Sequence, residues 1–227
     1  MLINKKDICN LSRIPINIKK NPCYMTAIQL MDSDVGYKQT ALYDHYKSYN
    51  PKTLYDIYNN IWPPNEIAEK LKDYSFDCLF LPWIHHSPVT EYKDVAFIQR
   101  DKSFIKKQVK KIKKLINSIN SNGYKPELFL DSKGGNITGY FLKSGNKKRF
   151  YVVSGNHRVA VLSALFPKKP IAVAFEEKSF MKPRDKFNRG QTCTEYDTKN
   201  INQWPSVKGE FISAETAKNI LATYMEN

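Results

Sequence analysis

Apolar and polar positions change period several times along this chain, and each change marks an element. Between Phe104 and Ile119 the apolar residues Phe104, Ile105, Val109, Ile112, Leu115, Ile116 and Ile119 recur at three and four residues, a spacing that gathers them on one face of a helix. An amphipathic helix is predicted there, capped at its end by Asn122-Gly123, with Pro126 beyond it. Runs that alternate or are rich in β-branched and aromatic residues predict strands: DVAFIQ (94–99), PELFLD (126–131), NITGYFLKSG (136–145), KKRFYVVSG (147–155) and IAVAFEE (171–177). Gly-containing turns separate the middle three.

Either side of this block the texture is different. QTALYDHYKSY (39–49), LYDIYNNIW (54–62) and NEIAEKLKDY (65–74) have helical spacing, the last with Asn65 as N-cap behind the Pro63-Pro64 break. After Lys178 a polar run through KPRDKFNRGQTCTEYDTKN reads as a long loop, and SAETAKNILATYME closes the chain as a helix with Ser213 as N-cap. The predicted class is α+β (α/β): a small mixed sheet with packed helices. The expected partition is a mostly helical N-terminal lobe over 1–92, a core over 93–177, and a C-terminal loop and helix over 178–227.

Composition narrows the class of partner. The 227 residues are 41% hydrophobic, enough to build a core, and no window approaches the apolar length needed to span a bilayer. Lys and Arg number 36 against 22 Asp and Glu, a formal charge of +14, which favours an anionic partner. Cys9, Cys23, Cys78 and Cys193 form no CxxC pair or regular framework, so reduced thiols and a cytoplasmic location are expected. The N-terminus lacks a continuous apolar stretch followed by a small-residue cleavage site.

The segment YVVSGNHRVAVLSAL (151–165) concentrates the chemistry. An apolar strand ends at Ser154-Gly155-Asn156, and His157-Arg158 open a helix. The first-turn N–H groups and the helix dipole favour an anion, and Gly155 allows close backbone approach. Arg158 carries a planar fork suited to phosphate, and His157 can donate a hydrogen bond or shuttle a proton. An ordinary capped helix is the competing reading of the same residues. The lysines Lys106, Lys107, Lys110, Lys111, Lys113 and Lys114 lie opposite the apolar face of the 104–119 helix, either as a solvated face or as a phosphate-contacting one.

On the sequence Gly155-Asn156-His157-Arg158-Val159-Ala160-Val161-Leu162 and the turn Asn122-Gly123-Tyr124-Lys125-Pro126, the segment from about Val95 to Glu177 resembles the ParB/sulfiredoxin superfamily. Members of that superfamily bind nucleotide phosphates at this loop. The resemblance implies a ParB/sulfiredoxin-like fold, with ATP or another nucleoside triphosphate held by Ser154, Gly155, Asn156, His157 and Arg158, and by Gln99 and Arg100 at the end of the first strand. Asn156 stands where sulfiredoxins carry a cysteine, so that nucleophile is lost. Only about fifty residues follow Glu177, too few for the DNA-reading domain of the chromosome-segregation members.

The free-serine kinases are then nearest, and phosphoryl transfer with Mg²⁺ to a small hydroxyl compound, a sugar or an amino acid, is the expected activity. Its catalytic candidates are His157, Asp94, Glu91 and His85, with Asp101 a further acidic residue near the first strand. His85 belongs to PWIHHSP (82–88), a proline-bounded loop that either lines a substrate pocket or packs, and whose adjacent His85-His86 do not suit a metal site. The ending NQWPSVKGEFISAETA resembles those of ParB-like proteins associated with surface-polysaccharide enzymes. A nucleic-acid-binding or ParB-like nuclease protein and a non-catalytic nucleotide-binding scaffold are the alternatives.

Overall fold

The computed structural model describes residues 1–9, 21–48, 81–83, 101–125, 136–175 and 195–225. Along them run β1 (Leu2–Ile3), β2 (Ile8–Cys9), α1 (Pro22–Asp32), α2 (Ala41–Ser48), α3 (Lys102–Asn122), β3 (Thr138–Ser144), β4 (Lys147–Ser154), α4 (Asn156–Leu165), β5 (Ile171–Ala172), β6 (Ala174–Phe175), β7 (Glu195–Asp197), α5 (Pro205–Lys208) and α6 (Ala214–Met225). The class is mixed α and β, as expected from the sequence. The predicted strands at 94–99 and 126–131 and the predicted helices at 54–62 and 65–74 lie outside the described residues.

Contacts divide the chain into two compact units, and the division differs from the expected one. The first joins residues 1–50, 99–140 and 150–176; the second joins 51–98, 141–149 and 177–227. Residues 1–50 are thus built into the unit that carries α3 and α4, where the sequence reading had grouped them with a separate N-terminal lobe. Two strands do this. β1 pairs antiparallel with β5, Leu2 opposite Ala172 and Ile3 opposite Ile171, and β2 pairs parallel with β4, Ile8 opposite Phe150 and Cys9 opposite Tyr151. Strands of two residues carry no readable periodicity, and their partners lie well over a hundred residues away.

β3 and β4 are sheet neighbours joined at Gly145-Asn146, where Gly145 has φ 57, the conformation a primed hairpin turn requires of its first central residue. The sheet order is β2-β4-β3-β6, with β7 also on β3. Both β6 and β7 run parallel to β3, β6 along Thr138-Gly139 and β7 along Phe141 to Lys143. The run read as one strand at 171–177 therefore serves two sheets: Ile171-Ala172 pairs with β1, and Ala174-Phe175 pairs with β3.

In the first unit α4 beyond its polar first turn has only Ser163 among apolar residues and is buried from Val159 to Ala164, the state expected of a helix with no polar face there. α1 and α3 pack against it. α1 begins at Asn21, whose side chain accepts from the N–H groups of Cys23 and Tyr24 at 3.1 and 3.2 Å, with Pro22 at the first helical position. α3 turns Ile105, Val109, Ile112, Ile116 and Ile119 inward, as its spacing predicts, and ends at Gly123 with φ 72. Lys5, buried to 6% exposure, donates from Nζ to the carbonyl of Phe166, so a cation meets the negative end of α4. Burial lowers the pKa of that ammonium.

The second unit is organised around Trp83, which is fully buried. Its ring lies 5.6 Å from Trp204, 5.7 Å from Tyr224 and 6.4 Å from Tyr196, the first two edge-on. The proline-bounded stretch at 82–88 and the NQWPSVKG stretch thus contribute their tryptophans to one core. The end of the predicted long loop is ordered structure: β7, then a 3-10 helix over Thr198–Gln203 started by Asp197, which accepts from the Lys199 N–H at 2.9 Å. Ser213 caps α6 as expected, accepting from the N–H of Thr216 at 3.1 Å.

Trp83→Ala removes the largest fully buried side chain of this unit and should cost about 3–5 kcal/mol, read as a lowered midpoint in urea-induced unfolding followed by fluorescence of the remaining tryptophans.

Candidate functional site

The β4-to-α4 turn is held by backbone geometry. Gly155 is the N-cap of α4 in the left-handed region, φ 98 and ψ 17, and its carbonyl accepts the first helical bond from Val159 at 2.9 Å. A side chain there would be strained by φ and crowded by its neighbours. A Cβ would stand 3.0 Å from both Cα and Cγ1 of Ile137 and 3.3 Å from the Asn136 carbonyl oxygen. The sequence reading assigned this glycine to close approach by a ligand; its missing side chain also makes room for the chain's own 136–137 segment.

A consequence follows for the helix terminus. Glycine has no side-chain acceptor, and no side-chain capping bond is made at this N-cap. The first-turn N–H groups therefore depend on something other than their N-cap side chain, with the positive end of the helix dipole behind them. The competing reading, a helix capped by Ser154 or Asn156, does not match this geometry: Ser154 is exposed and ends β4, and Asn156 is the first residue of α4. The Asn156 Oδ1 is buried and accepts from no donor among the described residues.

Cations frame the turn. Arg158 is half-buried and donates from Nη1 to the Asn136 carbonyl at 3.1 Å, which fixes the guanidinium beside the turn and leaves further N–H groups of its fork. Burial lowers its pKa, yet a guanidinium keeps its charge near neutral pH. Lys111, an exposed residue of α3 read from the sequence as one of six lysines on that helix's polar face, adds its charge at His157. Burial pushes the His157 imidazole down to about 4, and the charges of Lys111 and Arg158 push the same way. His157 is neutral at pH 7, a hydrogen-bond donor and a weak base.

Of the expected site residues, Ser154, Gly155, Asn156, His157 and Arg158 come together at this turn. His85, Glu91, Asp94, Gln99 and Arg100 lie outside the described residues. Asp101, weighed as an acidic candidate, is the N-cap of α3: its Oδ1 accepts from the Phe104 N–H at 2.7 Å, and both carboxylate oxygens accept from the Ser103 hydroxyl at 3.1 Å. Among the described residues no group of three or more His, Cys, Asp or Glu side chains converges to hold a metal ion. No described helix is long and apolar enough to cross a membrane.

Comparison with family models, with characterised proteins and with solved structures finds no match to this chain.

Two outcomes test the geometry. Gly155→Ala forces an L side chain into the left-handed region against backbone and should cost about 2–4 kcal/mol in chemical denaturation. The second concerns His157, which resists protonation in the fold while the unfolded chain takes up the proton near the ordinary histidine value of 6.5. Its stabilising contribution is thus full above about pH 6.5 and is lost as pH falls toward 4. Between pH 7 and 4.5 the wild type should lose on the order of 1–3 kcal/mol more than His157→Gln, measured by denaturant titration of both proteins at each pH.

Proposed function

We propose that the Ser154–Arg158 turn binds the phosphates of a nucleoside triphosphate, and that the protein is a nucleotide-dependent phosphotransferase acting on a small hydroxyl compound. The observation that carries this reading is the first turn of α4, which starts at a glycine with no side-chain cap and lies beside the charges of Arg158 and Lys111. N–H groups at a helix N-terminus suit phosphate oxygens, and a guanidinium fork and an ammonium add charge-assisted bonds. The resemblance of Gly155-Asn156-His157-Arg158 to the ParB/sulfiredoxin loop supports the same occupant.

Each side chain then has a defined task. Arg158 takes phosphate charge with the N–H groups that the Asn136 carbonyl leaves over, and Lys111 adds a second positive charge from α3. His157 enters as the neutral imidazole and donates one hydrogen bond; negative charge from bound phosphate opposes the two cations and raises its proton affinity. Moving the proton of an acceptor hydroxyl needs a base, and the acidic candidates for it, Asp94 and Glu91, remain those of the sequence reading, as does His85. Mg²⁺ supplies charge neutralisation on the phosphates in reactions of this class.

A screen of ATP, CTP, GTP and UTP with Mg²⁺ by thermal unfolding tests the binding half. A ligand at a hundredfold excess over its Kd should raise Tm by roughly 5–10 °C, and Arg158→Ala should abolish the rise while Arg158→Lys keeps part of it. A nucleotide that passes is then assayed for release of its diphosphate with sugar and amino-acid acceptors. No shift with any nucleotide would remove the reading, and a shift without turnover would leave a nucleotide-binding scaffold.

A further inference from the structure

α3 carries on its solvent side a charge pattern of which phosphate binding at α4 uses only Lys111. Its 21 residues include seven lysines and no acidic residue, half of the chain's net charge of +14. Lys106, Lys107, Lys110, Lys111, Lys113 and Lys114 are all exposed. Among the described residues, only Lys113 of these six pairs with a carboxylate, at 2.8 Å from Asp34, which is itself 91% exposed.

A face that exists only to be solvated has no need of one sign. Helices stabilise themselves by placing acidic and basic residues four apart, and like charges at that distance destabilise. Here Lys106 and Lys110, Lys107 and Lys111, and Lys110 and Lys114 all stand at i and i+4. The repulsion disappears when a polyanion supplies the missing sign. We infer that the lysine face of α3 binds the phosphodiester backbone of duplex nucleic acid, without regard to base sequence.

The form of the partner follows from the helix. Lys106 to Lys114 span about 12 Å at 1.5 Å per residue, and a duplex carries one phosphate charge per ~1.7 Å of axis. Six cations therefore face a polymer of comparable line density. The opposite face of α3 is committed to the core through Ile105, Val109, Ile112, Ile116 and Ile119, so the helix lies across the backbone and cannot sink into a groove. Contacts of that kind position a duplex and do not read it. An anionic membrane is the poorer fit, because interfacial helices bury an apolar face among acyl chains, and the apolar face of α3 is already covered.

The test is fluorescence anisotropy with two labelled 20-base-pair DNA duplexes of unrelated sequence, titrated at several NaCl concentrations. Both should bind with Kd values within about threefold of each other, with log Kd rising against log salt at a slope of about 4–5. The variant carrying Lys106, Lys107, Lys110 and Lys114→Gln should bind at least tenfold more weakly with a slope lower by about 3–4, and the matching Lys→Arg variant should retain binding. Lys147, Lys168, Lys208 and Lys218→Gln removes the same charge from exposed positions outside α3 and should weaken binding no more than threefold. Equal losses in the two Gln variants would overturn the assignment in favour of net charge alone. Binding to phosphatidylserine vesicles with none to DNA would overturn it in favour of a membrane, and binding to neither would overturn it outright. The α3 Gln variant should melt no lower than wild type, since it relieves repulsion. Lys111 and Arg158 stay intact in it, so nucleotide binding at the α4 turn is read separately.

Discussion

Two glycines set how closely β3 approaches the strand and helix that follow it, and the first unit depends on that approach. A Cβ on Gly139 would run into the Tyr151 carbonyl of β4, and one on Gly155 would press on Ile137 just before β3. With both absent, the two strands lie close enough for Tyr140 and Tyr151 to stack at 5.1 Å, nearly parallel. β3 then offers its other edge to β6, and β4 offers its own to β2. The same closeness fixes where α4 starts, because Gly155 ends the turn in the one backbone region where a side chain would be strained.

That start decides the chemistry. A serine or aspartate N-cap would satisfy first-turn N–H groups from within; a glycine cannot. The helix behind it is buried from Val159 to Ala164, with Ser163 the one polar residue in that stretch, so its polar end is the part left to meet a ligand. Arg158 is drawn beside that end by the Asn136 carbonyl, next to the residue that Gly155 touches. One short segment thus shapes the turn and holds its cation. Desolvation by the surrounding structure keeps His157 neutral, and the charges of Lys111 and Arg158 reinforce it.

The second unit has a different economy. Its described core joins an aromatic cluster of Trp83, Tyr196, Trp204 and Tyr224, supplied by three separated parts of the chain, to aliphatic residues such as Leu142, Ile220 and Leu221. β7 is fixed to β3 by ladder pairing and by charge: Lys143 reaches Asp197 at 3.1 Å and Glu195 at 3.5 Å, while Lys148 pairs with Glu195 and lies 4.0 Å from the centre of the Phe141 ring. Apart from the buried Asp197 these ion pairs are partly exposed and contribute modestly, so register here is held chiefly by backbone pairing and the aromatic cluster.

Sequence by itself determined the elements whose signals are local. The apolar spacing of α3, the alternation and Gly145 turn of β3 and β4, the Gly123 end and the Ser213 cap are each written within a few residues, because helix and turn geometry bring near neighbours together. The candidate turn at 154–158 was legible for the same reason. Tertiary structure decided what depends on distant partners. β1 and β2 are two residues long and exist only as ladder partners of β5 and β4. α1 is apolar nearly all round, so its spacing marks no single face, although Asn21-Pro22 announces its start. The second role of Gly155 required Ile137, the assignment of Asp101 to a cap required its bond from the N–H of Phe104 at the start of α3, and the depression of His157 required burial in the fold, with Lys111 from another helix adding to it. Burial and long-range charge are properties of the folded chain, and no local pattern encodes them.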